Sequence, residues 1–245
     1  MTRWPLPADP QPRKARPMNL EPLVQEPLHE RAYTALRGAL RSGRFKPGQA
    51  MTIRGLGKDL GISATPVREA LQRLIAAQAL RLQPNRTIIV PVLTRSRFQE
   101  ITKVRVRLEG LAAQEATPRL TSRDIAELEA LSAAMTADIA QKRFTDYLAN
   151  NERFHFLIYG ASGMEFLWEL IDLCWLQTGP WLNALASEGR FHAIANTVHD
   201  EIITLASAGD ADGVREAVQR DILEAARLLT RFLGDDDKVP MAEAV

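Results

Sequence analysis

The sequence predicts a mainly α-helical protein: an N-terminal winged helix-turn-helix with a small β-hairpin wing, then an all-α helical bundle. Three observations lead there. Two short helical patterns meet at a glycine between Ile53 and Leu74. Positive charge collects in the same third of the chain. Beyond Pro91 the apolar residues recur only at helical spacing, with no alternating strand pattern.

Residues 1–24 hold six prolines among few large apolar side chains, which predicts a disordered arm. Residues 26–42 form a helix with Leu28, Ala32, Leu36, Ala39 and Leu40 inward, closed by Ser42-Gly43, and Lys46-Pro47-Gly48 makes a turn. In the next helix Leu56 and Leu60 form the apolar stripe, and Gly61 stops it because glycine tolerates left-handed backbone angles. Thr65 is expected as N-cap of the following helix, with Pro66 at its first position, where the missing N–H costs nothing. Val67, Ala70, Leu71 and Leu74 then face inward, leaving Arg68 and Gln72 four apart on one solvent face. Ala79 to Arg81 and Thr87 to Val90 read as a hairpin around Gln83-Pro84-Asn85-Arg86.

The bundle is expected to begin with a helix over 96–117, with Ile101, Val104, Leu108 and Leu111 inward and Pro118 as its stop. A helix over 121–142 starts with a capping box, Thr121 and Asp124, flanked by a staple of Leu120 and Ile125. Helical runs follow at roughly 145–161, 164–178, 188–207 and 211–233, the last capped by Asp210. The domain expectation is therefore an arm at 1–24, a winged helix at 25–92, an α-domain at 93–235 and a frayed tail at 236–245.

The net charge of +1 averages two opposed halves. Residues 25–92 carry eleven Lys or Arg against four acids, a net of +7, whereas residues 93–245 net −8. A basic small domain suits polyphosphate, and an acidic large one stays off it. The single cysteine, Cys174, excludes an internal disulfide, fits a cytoplasmic location and sits in an apolar run, where a buried inert thiol is expected. No apolar run reaches membrane-spanning length, and the N-terminus lacks the apolar segment of a signal peptide. A helix-turn-helix presenting Arg68 and Gln72 has the chemistry to read base edges.

The stretch from Leu40 to Leu82, with TPVREAL at 65–71, resembles the winged helix of the GntR family of bacterial transcription regulators. The helices after it resemble the FCD ligand-sensing domain of the FadR-type branch. The resemblance implies DNA contacts by Arg54, Lys58, Thr65, Pro66, Arg68 and Gln72, with Arg86 at the wing tip. Two departures stand out. Ala64 replaces the usual arginine before Thr65, and Pro84-Asn85-Arg86 replaces a Gly-rich tip.

In the α-domain the resemblance implies a divalent metal, Zn²⁺, Ni²⁺ or Mn²⁺, on four ligands. The family's Asp-x3-His pair falls on Asn151 and His155, the next histidine on His199, and the last on Asp221. Two of the four family ligands are thus replaced. His155, His199 and Asp221 remain an adequate donor set, with the Asn151 amide as a weak fourth. Arg105 matches an arginine facing the same cavity, where it is expected to pair with a ligand carboxylate. With His155 and His199 it is also expected to bind an effector, a small carboxylate metabolite.

These readings converge on a cytoplasmic, ligand-responsive regulator, not an enzyme, that binds a palindromic double-stranded DNA operator as a homodimer. Two alternatives differ in kind. One is a metal-dependent hydrolase with a DNA-binding appendage, in which His155, His199 and Asp221 activate water; no separate general base or nucleophile is apparent. The other is a constitutive DNA-binding protein whose α-domain only dimerises.

Overall fold

In the computed structural model the described residues are 26–184 and 189–233, with side chains described outside 189–195. The expected N-terminal arm and C-terminal tail lie outside them. Helix α1 (Leu28–Arg41), strand β1 (Ala50–Met51), α2 (Ile53–Leu60), α3 (Ala64–Ala76), β2 (Arg81–Leu82) and β3 (Ile88–Ile89) form the first unit. Helices α4 (Arg95–Ala116), α5 (Ser122–Ala140), α6 (Phe144–Ala161), α7 (Glu165–Leu182), α8 (Gly189–Ser207) and α9 (Ala211–Leu229) form the second. Short 3₁₀ turns follow α4 at Thr117–Arg119 and α9 at Thr230–Phe232.

The wing has one strand more than the sequence predicts. β3 lies between β1 and β2, antiparallel to both, with Ala50 opposite Ile89 and Leu82 opposite Ile88. A two-residue strand is too short to show alternation. It forms because Gly48, at φ +79°, turns the chain back and donates its N–H to the Val90 carbonyl at 2.9 Å.

Gly61 ends α2 in the left-handed region at φ +67°, as expected. The start of α3 differs: Ser63, not Thr65, is its N-cap, so Pro66 falls in the first turn rather than at its first position. Its missing N–H is still one that the helix would leave unpaired. Val67, Ala70, Leu71 and Leu74 are all buried and pack α3 against Leu36 and Leu40 of α1. Leu28 is exposed, because it is the first residue of α1 and lies beyond that contact.

The capping box at Thr121 and Asp124 forms as expected, and Asp210 caps α9 by accepting from the Gly213 N–H. Helix α7 runs on through Gly179 and Pro180 to Leu182, beyond the expected run at 164–178. The reason is a helix crossing. A Cβ on Gly179 would stand 2.5 Å from the Leu40 carbonyl oxygen and 2.6 Å from that of Arg41, so glycine is what lets α7 lie against α1. Along this crossing Leu176 of α7 is buried within the winged-helix core. Asp172 of α7 accepts from Arg37 Nε at 2.9 Å and Arg41 Nη1 at 2.8 Å, and Arg41 also pairs with Glu152 of α6. The two guanidinium groups lie over Trp168 (4.7 Å from Arg37) and Phe156 (4.1 Å from Arg41).

In α4 the inward face is only partly the one its apolar residues predict: Ile101 is buried and Leu108 is half-buried against the core. Val104 and Leu111 are exposed, while Arg105 and Glu109 are buried beside Phe98, Ile101, Ala112 and Ala116. An ion pair thus enters the bundle beside Ile101, and Val104 and Leu111 are left on the outer face. Among the described residues no helix is long and apolar enough to cross a membrane.

Gly179→Ala is expected to lower the thermal midpoint and to speed proteolysis near Ser42–Lys46. The colliding atoms are backbone carbonyls, which cannot swing aside. Thermal unfolding and limited proteolysis of the full chain check this.

Candidate nucleic-acid interface and metal centre

The first site is an open face on the winged helix. Arg54 and Lys58 of α2 and Arg68 of α3 are exposed around a shallow groove of about 510 Å³, which Ser63 and Ala64 also line. Gln72 is exposed one turn beyond Arg68. Thr65 is also exposed, but Pro66 is buried, so its part in any interface is to hold the helix start rather than to touch a ligand. Arg86 is exposed at the wing tip with φ +63°; the turn is braced by the Asn85 side chain, which accepts from the Thr87 N–H at 3.0 Å. Arg37 and Arg41, part of the same basic count, instead face the α-domain.

The second site is buried in the bundle. His155 of α6, His199 of α8 and Asp221 of α9 each offer one ligand atom, all within 4.8 Å of one another. His155 Nε2 is 3.3 Å from Asp221 Oδ2, and His199 Nε2 is 3.9 Å from Oδ1. Asn151 is half-buried one turn before His155 on α6. Burial pushes His199 down to about 4, so its ring is neutral near pH 7. Burial alone would push the Asp221 carboxyl up, yet the hydrogen bond and charge of His155, with His199 and Arg105 behind them, leave it below its ordinary value.

The donor set suits a divalent ion. Neither ring nitrogen of His199 has a hydrogen-bond partner among the described residues, although the side chain is fully buried. A buried nitrogen without a partner is costly unless something else occupies it. His155, His199 and Asp221 would hold such an ion, which would supply a fixed positive charge and open positions for an anion.

Arg105 does not pair with a ligand carboxylate as expected. Its partner is Glu109, one turn further along α4: Nε donates to Oε1 at 2.6 Å and Nη2 to Oε2 at 3.3 Å. Its guanidinium also lies 4.7 Å from the Trp175 ring. Burial would lower the Arg105 pKa, but the Glu109 charge and hydrogen bonds leave it raised. Glu109 Oε2 accepts as well from Tyr159 Oη at 2.7 Å and Trp175 Nε1 at 3.0 Å. Burial, reinforced by Glu109, pushes the Tyr159 hydroxyl far above its ordinary pKa, so it stays protonated. Sequence reasoning missed Glu109 and Tyr159. The available signal was their spacing, Glu109 four residues after Arg105 and Tyr159 four after His155. The ring centroid of Trp175 lies 5.7 Å from that of His155. Cys174 is half-buried rather than buried, and burial pushes its thiol up, as for an inert cysteine.

The model of the bacterial regulatory proteins of the gntR family matches residues 28–90, and the FCD domain model matches residues 100–232. The chain belongs to the GntR family. Its FCD domain assigns it to the FadR-type branch. The chain is 31% identical to the HTH-type transcriptional regulator McbR of Escherichia coli K12, over 75% of this chain and 84% of that protein. A solved structure of E. coli McbR/YncC superposes with a TM-score of 0.78 at 28% identity, covering 85% of this chain and 99% of that one. A transcriptional regulator from Rhodococcus sp. RHA1 shares the fold, with a TM-score of 0.68 at 21% identity. This GntR-family chain is thus a transcription regulator and not an enzyme.

Glu109→Leu is expected to destabilise the protein by about 3–5 kcal/mol, because it strands the buried Arg105 charge. Urea unfolding followed by circular dichroism measures it.

Proposed function

We propose that this GntR-family protein is a ligand-responsive regulator that binds a short palindromic operator as a homodimer in the cytoplasm. The observation that carries the reading is the open face on which Arg54, Lys58 and Arg68 stand together around the α2–α3 groove, with Gln72 exposed one turn beyond Arg68. Arg68 and Gln72 read base edges from the major groove, and Arg54 and Lys58 hold phosphate. Arg86 at the wing tip reaches toward the adjacent groove. Ala64, exposed where the family carries arginine, offers only apolar contact, which favours a thymine methyl over a guanine edge.

In the α-domain a small carboxylate metabolite completes the shell of an ion held by His155, His199 and Asp221, with Asn151 as a weak further donor. Arg105 adds positive potential nearby, although Glu109 takes up its hydrogen bonds. The α1–α7 seam supports a direct route between the two sites. Phe156, beneath Arg41, packs edge-on against Trp175, and Trp175 packs against His155. A change around His155 therefore has packed neighbours all the way to α1.

Dimerisation is supported by the stripe of Val104, Leu108 and Leu111 at i, i+4 and i+7 on α4. Val104 and Leu111 are more than a third exposed, and Leu108 is half-buried. A second copy covers this stripe, since one winged helix alone buries too little surface for tight specific binding.

Two outcomes are expected. Arg68→Ala loses base discrimination of about 1–3 kcal/mol, whereas Arg54→Ala and Lys58→Ala each lower the slope of log affinity against log salt by about 0.9. Operator selection followed by fluorescence anisotropy at several salt concentrations separates them, and unchanged base preference in Arg68→Ala contradicts the reading. Val104→Asp with Leu111→Asp is expected to give a folded monomer by light scattering at micromolar concentration, where the wild type is a dimer.

A further inference from the structure

Counting protons in the buried network decides which nitrogen of His155 is available as a ligand. Arg105 can only donate, and it engages both oxygens of Glu109. Paired in this way, and fully buried, the Glu109 carboxylate only accepts. Tyr159 therefore gives its one hydroxyl proton to Glu109, at 2.7 Å. The Tyr159 oxygen has only lone pairs left to turn toward His155 Nδ1, 3.3 Å away. That contact is favourable only when Nδ1 carries a proton. In the neutral ring the lone pair then lies on Nε2, the nitrogen facing Asp221 Oδ2 at 3.3 Å. The lone pair of Nε2 in the neutral ring then faces the Asp221 carboxylate, an arrangement that a cation resolves, as a proton on Nε2 does in the charged ring.

We propose that Tyr159, held by Glu109 and Arg105, is a positioning residue that locks the His155 proton on Nδ1 and so presents Nε2 to a divalent cation shared with His199 and Asp221. The cation itself rests on the reading given under Proposed function; the lock does not. Three helices take part. Glu109 comes from α4, Tyr159 and His155 from α6, and Trp175 of α7 closes the remaining side of Glu109. The i, i+4 spacing stacks the His155 and Tyr159 rings, with centroids 5.9 Å apart, so the hydroxyl meets Nδ1 without a change of backbone.

The test uses the full-length protein with ¹⁵N-labelled histidine, and Zn²⁺ alone as the probe. Two-bond ¹H–¹⁵N spectra report which ring nitrogen carries the proton. Wild type is expected to show His155 protonated on Nδ1 both without metal and with Zn²⁺ bound through Nε2. Tyr159→Phe keeps the ring packing and is expected to release the lock, giving a mixture of tautomers and a Zn²⁺ affinity about 10- to 100-fold lower by calorimetry. In Glu109→Gln the amide can donate to Tyr159 and free its proton for Nδ1, so the tautomer is expected to reverse. An unprotonated Nδ1 in wild type, Zn²⁺ bound through Nδ1, or a Tyr159→Phe variant with unchanged tautomer and affinity would each overturn the proposal. If wild type takes up no Zn²⁺, Ni²⁺ or Mn²⁺, the metal reading fails, while the metal-free tautomers of wild type and Tyr159→Phe still decide the lock. If either variant does not fold, the wild-type tautomer decides alone.

Discussion

Glu109 is a carboxylate with no exposure to solvent, and much of the bundle is arranged to make that tolerable. An unpaired charge in such a place costs several kcal/mol even after relaxation. Arg105, Tyr159 and Trp175 together supply four hydrogen bonds to its two oxygens. The face of α4 that meets that demand carries Arg105 and Glu109 inward, and it leaves Val104 and Leu111 toward solvent. It also draws the polar edges of α6 and α7 toward one point. The His155–His199–Asp221 cluster lies beside that point, with Trp175 and Tyr159 touching both groups. A purely apolar core would pack these helices without specifying which turn of α6 faces which turn of α4. A satisfied polar network does specify it, because every donor must meet its own acceptor.

The winged helix is joined to the bundle by a contact of a different kind. Arg37 and Arg41 are part of the basic excess that marks the N-terminal unit, yet they point away from its open face. Their charges meet Asp172 and Glu152, and their planes rest on Trp168 and Phe156. Both guanidinium groups are largely shielded from water, so screening by salt acts less on them than on Arg54 or Lys58. Gly179 brings the backbones close, and Leu176 extends the winged-helix core into α7. Charge, stacking and close backbone approach thus act at the same crossing, which makes α1 part of both units.

Much of the fold was legible in the residues because it is locally encoded. Helix α3 follows from Val67, Ala70, Leu71 and Leu74, the stop of α2 from Gly61, and the start of α5 from the Thr121–Asp124 box, each set by neighbours within a turn or two. Where the reading failed locally, it failed over small margins. Ser63 rather than Thr65 caps α3, and the two-residue strand β1 leaves no periodicity to detect. The cluster of His155, His199 and Asp221 was legible only through resemblance. Its members are 44 and 22 residues apart in sequence, and no local spacing relates them.

By itself, then, the sequence determined the order of the helices, the winged helix-turn-helix and the outward placement of Arg68 and Gln72. These depend on periodicity, caps and turn residues, which act between near neighbours. Only the tertiary structure decided that Arg105 belongs to Glu109, that α4 buries an ion pair and exposes its valine and leucine, and that α7 continues past Gly179-Pro180 to meet α1. Those outcomes turn on the desolvation of a few charges and on the closest approach of two backbones. Both are set by elements distant in the chain: the i, i+4 spacing of Arg105 and Glu109 permits their pairing but does not say that this face of α4 is buried.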